Sequence, residues 1–69
     1  MKMTNEQFTD FIAKADKLTE QHNGMRLGEV YMHVLKEHYP KIFEEIHDTE
    51  LNVYIYRENI PLLFKYLLP

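Results

Sequence analysis

The stretch RLGEVYMHVLKEHYPKIFEEI, residues 26–46, decides the fold. Pro40 cannot continue a helix but suits the first turn of a new one, so it predicts two helices, 26–38 and 40–47, that meet there. Apolar residues recur at steps of three and four on both sides of the joint, as in amphipathic helices. The expected inward positions are Leu27, Val30, Tyr31, Val34 and Leu35, then Ile42, Phe43 and Ile46.

The segment before this stretch predicts another helix, over residues 4–21. Thr4 can cap its first turn while Gln7 returns a hydrogen bond to the cap, which is the capping-box pattern. Gly24 is expected to close the helix in the left-handed conformation. The apolar stripe of this helix is Phe8, Phe11, Ile12, Ala15 and Leu18.

The segment after the stretch changes its period. Apolar Leu51, Val53 and Ile55 alternate with Asn52, Tyr54 and Tyr56, as in a strand. A lone strand has no partner in a helical monomer, so we interpret 51–57 as an extended connector, with an intersubunit two-strand ribbon as the alternative. Asn59 can cap a last helix, 60–67. The sequence therefore predicts one all-α domain, a compact bundle of four short helices.

Composition limits the classes of function. With 69 residues the chain has room for one domain. The net charge is −3 and the eight Lys and Arg are scattered, so nucleic acid is an unlikely partner. No apolar run approaches the roughly 20 residues of a membrane span, and the N-terminus lacks the apolar core of a signal peptide, so we expect a cytoplasmic protein. A core this small without cysteines makes a homodimer an option.

The residue inventory argues against an enzyme. The chain has neither serine nor cysteine, and two glycines are too few for the usual phosphate-binding loop. The best remaining constellation is Glu29, His33 and Glu37, spaced by four on one helix face, where a divalent metal can be imagined. Because the usual two-histidine spacing is missing, a solvated helix face is the favoured interpretation. We expect no catalytic residue and no cofactor, and a metal-dependent enzyme is the least favoured alternative.

Two residues at the start of the 26–38 helix break local rules. Arg26 places a cation where the helix dipole repels it. The favoured explanation is an ion pair with Glu45, Asp48 or Glu50, and the alternative is an anchor for a partner's carboxylate or phosphate. Gly28 costs about 1 kcal/mol relative to alanine inside a helix. It predicts close approach of another element, either the C-terminal helix or its twin in a dimer.

Tyr54 and Tyr56 are the best candidates for exposed aromatic side chains. Tyrosine is a common interface anchor, although these rings can also lie flat over the core. Together with Arg57 and Arg26 they form the predicted partner-binding set. The sequence therefore favours a non-enzymatic protein-binding module. The alternative is a nucleic-acid-associated dimer in which phosphates contact Arg26, Lys36, Lys41 and Arg57.

A loose pattern runs through residues 26–67. Its pieces are Arg26, Gly28, Leu35, Pro40, Ile46, Thr49-Glu50, the aromatic run 54–56, Ile60-Pro61 and Phe64. In these the chain resembles a group of short, largely uncharacterised proteins of tailed bacteriophages. It departs from them at Glu29, where glutamine is frequent, and at Asn52-Val53, where Asp-Pro is usual. The group has no established activity, so the resemblance implies only a setting: a small phage protein in a bacterial cytoplasm that binds a host factor.

Overall fold

The structure, a computed structural model, describes residues 2–68, and within them it has four α-helices and no strand. The helices are α1 (Asn5–Gln21), α2 (Leu27–His38), α3 (Pro40–Ile46) and α4 (Ile60–Leu67). A single 3-10 turn, Arg57–Asn59, precedes α4. The predicted all-α class is confirmed, and each helix begins and ends within one residue of its expected bounds.

The start of α1 is fixed on both sides of its cap. The Gln7 backbone N–H donates to Thr4 Oγ1 at 3.1 Å, and the Thr4 N–H donates to Gln7 Oε1 at 2.9 Å, so the capping box is confirmed. Met3, just before the cap, is buried, as expected for an apolar residue that sets the direction in which the chain enters a helix. Its backbone N–H donates to the Leu67 carbonyl at 2.9 Å, which ties the start of α1 to the end of α4.

The turn after α1 differs from the expectation for Gly24. No described residue has a positive φ, so the left-handed conformation expected at Gly24 is wrong. Instead, the helix ends at His22, with φ of −137°. The Met25 N–H then donates to the His22 carbonyl at 3.1 Å, which closes the turn with ordinary backbone conformations.

Aromatic rings from three helices form the centre of the core. Phe11 of α1 is fully buried, with its ring centroid 5.7 Å from Tyr31 of α2 and 6.3 Å from Phe64 of α4. Tyr31 and Phe64 meet edge to face at 5.1 Å, an arrangement that aromatic quadrupoles favour. The other fully buried apolar residues are Met3, Val30, Leu35, Ile46, Val53, Leu63 and Leu67.

Tyr39 joins α1 to the junction of α2 and α3. Its hydroxyl donates to Asp10 Oδ2 at 2.6 Å and lies 3.2 Å from the Gln7 carbonyl oxygen. Burial and this bond to Asp10 raise the pKa of Tyr39 to about 12. Hydrogen bonds from the Lys14 ammonium and from Tyr39 lower the pKa of Asp10. The residue that separates two helices thus also holds the third.

Residues 51–57 form a series of turns, so the extended conformation expected there is wrong. Asn52 organises them: its Oδ1 accepts from the Tyr54 N–H at 3.1 Å and its Nδ2 donates to the His47 carbonyl at 2.8 Å. Its own carbonyl accepts from the backbone N–H groups of Ile55 and Tyr56. Asparagine thus supplies the hydrogen bonds that a lone strand lacks. With no strand among residues 2–68, the two-strand ribbon has nothing to pair.

Asn59 does not cap α4 as expected. Its side chain makes no cap hydrogen bond; instead its Nδ2 donates to the Glu50 carbonyl at 2.8 Å. The amide therefore holds the two ends of the loop together, and Pro61 in the first turn of α4 has no N–H that needs a cap.

Candidate partner-binding surface

The backbone of the loop lies directly against the first turn of α2. A Cβ atom on Gly28 would be 2.0 Å from the carbonyl oxygen of Val53 and 2.8 Å from its carbonyl carbon. No real side chain tolerates such distances, so only glycine fits here. The close approach predicted at Gly28 is confirmed, but the approaching element is this loop rather than α4 or a second copy of the chain.

Burial of Val53 turns the next three residues outward. Tyr54, Ile55 and Tyr56 are 60%, 65% and 42% exposed. Tyr54 and Tyr56 were the candidates for exposed aromatic side chains, and Ile55, an apolar position of the alternating pattern, is exposed between them. Leu27, which was expected inside, is 55% exposed because the neighbouring Gly28 takes the buried side of the helix. Exposed apolar side chains that lie together are typical of protein interaction sites.

Two arginines flank these side chains. Arg26, Tyr54 and Arg57 line one small cavity of about 110 Å³, together with Glu29. Three of the four predicted partner-binding residues therefore meet, and Tyr56 lies on the same loop beside them. We call the six residues of this region the Tyr54 surface: Arg26, Leu27, Tyr54, Ile55, Tyr56 and Arg57.

Arg26 does not make the ion pair expected for it. It is the cap residue of α2, in an extended conformation, and its side chain makes no cap hydrogen bond. Within residues 2–68 its guanidinium has no carboxylate within 4.0 Å, neither Glu45 nor Asp48 nor Glu50. Glu45 instead accepts the Tyr66 hydroxyl at 2.6 Å. Arg26 therefore projects a charge into solvent beside the loop.

A second, larger cavity adjoins the first, since Glu29 and Tyr54 line both. Its volume is about 280 Å³, near the lower end of ligand pockets. The Lys36 ammonium lies 6.0 Å from the Phe43 ring centroid, a cation–π distance. The lining of the cavity thus combines apolar and charged side chains. Its remaining lining residues are Met25, Met32, His33 and Asn52.

The side chains of the row Glu29, His33 and Glu37 are not gathered into one cluster among residues 2–68. His33 Nε2 is 3.9 Å from Glu37 Oε1, and both side chains are at least half exposed. Two atoms that each bind a tetrahedral ion at about 2 Å lie about 3.3 Å apart, so this pair is near that spacing but supplies only two ligands. Among residues 2–68, no three His, Cys, Asp or Glu side chains are placed to hold a metal. The helical spacing puts the side chains on one face but does not make them converge.

Sequence reasoning missed the residue that builds the surface. Asn52 was interpreted only as the polar position of an alternating pattern, yet it makes the hydrogen bonds that turn the loop. The available signal was its residue type, together with Thr49, whose hydroxyl accepts from the Leu51 N–H at 3.1 Å. Both residue types favour turns because their side chains bond to nearby backbone.

The fold and this surface define a small all-α domain that presents exposed aromatic and arginine side chains on a hydrogen-bonded loop. Comparison of the chain with protein-family models, with curated proteins and with solved structures gives no match. None of the helices in residues 2–68 is long and apolar enough to cross a membrane.

Proposed function

We propose that this chain is a small non-enzymatic module that binds another protein through the Tyr54 surface. The observation that carries the proposal is the run Tyr54 to Tyr56, exposed together on a loop that Asn52 holds in place. Tyrosine and arginine are enriched at the energetic centres of interfaces. A loop that is already ordered loses less entropy on binding, so its contacts yield more affinity.

The resemblance to phage proteins supports a setting for this binding. In that setting the chain is a phage accessory factor, and its partner is a host protein of the bacterial cytoplasm whose action it blocks or redirects. The lack of serine and cysteine supports a non-enzymatic role.

The test is capture of a partner from bacterial lysate by the wild type and by the double variant Tyr54→Ala/Tyr56→Ala. Interface tyrosines of this kind contribute about 2 kcal/mol each when they are hot spots, so we expect a specific partner to be lost. Leu68→Ala is the matched control. Leu68 is apolar and 45% exposed, but it lies just after the C-terminal end of α4, whereas the 3-10 turn precedes the N-terminal end. Light scattering on the purified chain identifies a second copy as the partner.

Two results count against the proposal. If the double variant captures the same partner as the wild type, the Tyr54 surface is not the binding site. If Leu68→Ala loses the partner equally, the binding surface extends over α4 and is not defined by the loop.

A further inference from the structure

The two arginines of the Tyr54 surface are not held by any direct ion pair within the described part of the chain. Neither guanidinium makes an ion pair or a hydrogen bond among residues 2–68, although the chain has an excess of acidic groups. Among residues 2–68, Lys14 is the one Lys or Arg that makes an ion pair, with Asp10 on α1, so the arginines are distinguished by their shared cavity. Each guanidinium offers five N–H donors in a planar fork that suits an oxygen anion. Two like charges at one cavity repel each other, and an anion bound between them reduces that repulsion.

The balance of charge at the cavity selects the kind of anion. Arg26 and Arg57 supply two positive groups, and Glu29 at the same cavity supplies one negative group. One positive charge is left uncompensated, which matches a carboxylate. A phosphate monoester carries close to two negative charges near neutral pH, and its oxygens would meet the Glu29 carboxylate. The Tyr54 phenol, on the same cavity wall, is a further hydrogen-bond donor.

The neighbouring cavity determines which kind of partner side chain fits beside the anion. It shares Glu29 and Tyr54 with the arginine cavity, and the apolar side chains Met25, Met32 and Phe43 are part of its lining. Methionine and phenylalanine side chains favour an apolar occupant and adapt to its shape. An extended segment advances about 3.3 Å per residue, so residues one to three positions apart can enter adjoining cavities.

We infer that the Tyr54 surface recognises a protein segment in which an Asp or Glu side chain stands close to a large apolar side chain. The carboxylate lies between Arg26 and Arg57, and the apolar side chain enters the neighbouring cavity, which Phe43 lines. This inference rests on the proposed function and specifies the chemistry of the partner. Arg26 thus has a reason for its place at the start of α2, where the helix dipole disfavours a cation.

The experiment selects a random-peptide display library on the wild-type chain and measures the enriched peptides by fluorescence anisotropy. We expect Asp or Glu within a few positions of Leu, Ile, Met or Phe. Arg26→Gln/Arg57→Gln should weaken binding about ten-fold or more, since charge-assisted hydrogen bonds are lost. Glu29→Gln should strengthen binding, because it removes a like charge from the site. Replacing the peptide's Asp by Asn, or its Glu by Gln, should weaken binding by the same factor as the double arginine substitution.

The matched control is Lys17→Gln/Lys41→Gln. It also removes two positive charges, but at exposed positions on α1 and α3. Its affinity for the selected peptides should equal that of the wild type. Arg26 and Arg57 are also exposed and unpaired, so circular dichroism should show the same thermal unfolding for both double variants.

Several outcomes overturn the inference. These are selection of no peptide, selection of peptides without acids, or equal affinity in the arginine variant and its control. Tighter binding of a phosphoserine peptide than of its Asp counterpart also overturns it, because the anion would then be phosphate. The lysate test separates this failure from that of the proposed function. Suppose that Tyr54→Ala/Tyr56→Ala loses the partner while Arg26→Gln/Arg57→Gln keeps it. The proposed binding surface is then supported, and the inference of an acidic partner segment is contradicted.

Discussion

At Gly28 the packing of the molecule depends on a single missing methyl group. The carbonyl of Val53 occupies the space where a Cβ would be, and both residues are buried. Backbone atoms cannot rotate away as a flexible side chain can. Any larger residue therefore has to push the loop off α2, and the outward-facing residues of the Tyr54 surface move with it.

We expect Gly28→Ala to destabilise the fold by about 3 kcal/mol, the upper end of typical overpacking. Alanine gains about 1 kcal/mol of helix propensity over glycine, which is too little to offset a clash with backbone. A domain this small has a free energy of unfolding near 5 kcal/mol, so much of its stability would be lost. Urea unfolding followed by circular dichroism measures the change.

Gly24→Ala is the control for this prediction. A Cβ at Gly24 meets nothing within 4 Å, and its φ is not positive. Alanine there restricts the unfolded chain and should stabilise the protein by about 0.4–1 kcal/mol. Equal unfolding free energies for the two alanine variants would show that the loop does not lie against α2.

The sequence correctly predicted a close contact at Gly28, but it did not identify Val53 as the contacting residue. A glycine inside an amphipathic helix costs stability, so its presence indicated a close contact without knowledge of the fold. The identity of the contacting element depended on the path of residues 51–56. Alternating polarity predicted an extended path, but hydrogen bonds from Asn52 produce turns, and these bring Val53 rather than α4 onto Gly28.

At the scale of elements, the loop before α4 is held by side-chain amides as well as by apolar contacts. Val53 is its one fully buried side chain, while Asn52 and Asn59 bond to the backbone at His47 and Glu50. These bonds hold the tyrosines outward. The order of the Tyr54 surface therefore comes from residues that do not themselves face the partner.

We expect Asn52→Ala to lower the free energy of unfolding by about 1–2 kcal/mol, since two side-chain hydrogen bonds are lost at about 1 kcal/mol net each. Faster amide hydrogen exchange should appear at Tyr54, Ile55 and Tyr56 in particular. Capture of the partner should weaken as well, because the loop must then be ordered on binding. Nuclear magnetic resonance measures the exchange residue by residue.

Asn23→Ala supplies the comparison at an exposed turn. The Asn23 side chain makes no hydrogen bond among residues 2–68, so its removal should change stability by less than about 0.5 kcal/mol. If Asn52→Ala is equally neutral and its loop amides stay protected, the loop does not depend on the Asn52 side chain.

The helices themselves were predictable because several signals agreed at each one. For α1 the capping box, the apolar stripe and the exposed charges all indicated the same helix, and the structure has it. Met3 was missed, although an apolar residue just before a cap commonly packs under the first turns. Its backbone N–H bonds to the Leu67 carbonyl at the other end of the chain, and helical periodicity does not report such distant contacts.

At the scale of the whole molecule, α1 is held by packing on one side and by polar groups on the other. The rings of Phe11 and Phe64 join it to α4, and the Tyr39 hydroxyl bonds to Asp10 at the junction of α2 and α3. The packing does not respond to pH, but the Tyr39 bond does. The stability of the fold should therefore fall at the alkaline end through the Tyr39 bond, and the raised pKa values of Tyr31 and Tyr66 act in the same direction.

The sign follows from the proton balance. In the unfolded chain the Tyr39 phenol has its ordinary pKa of 10.0, whereas burial and the bond to Asp10 raise the folded pKa to about 12. Between these values the unfolded state loses a proton that the folded state keeps. The contribution of Tyr39 is thus fully present below pH 10 and falls as the pH rises from about 10 to about 12.

Tyr39→Phe tests this dependence, since it keeps the ring and removes the proton. The variant should be less stable than the wild type by about 1 kcal/mol at neutral pH, because the hydrogen bond to Asp10 is lost. That difference should shrink as the pH passes 10. The phenolate absorbance of the wild type and of Tyr39→Phe is titrated with pH, and the difference between the two curves reports Tyr39. Its midpoint should be near 12. A midpoint near 10 would mean that Tyr39 does not bond to Asp10.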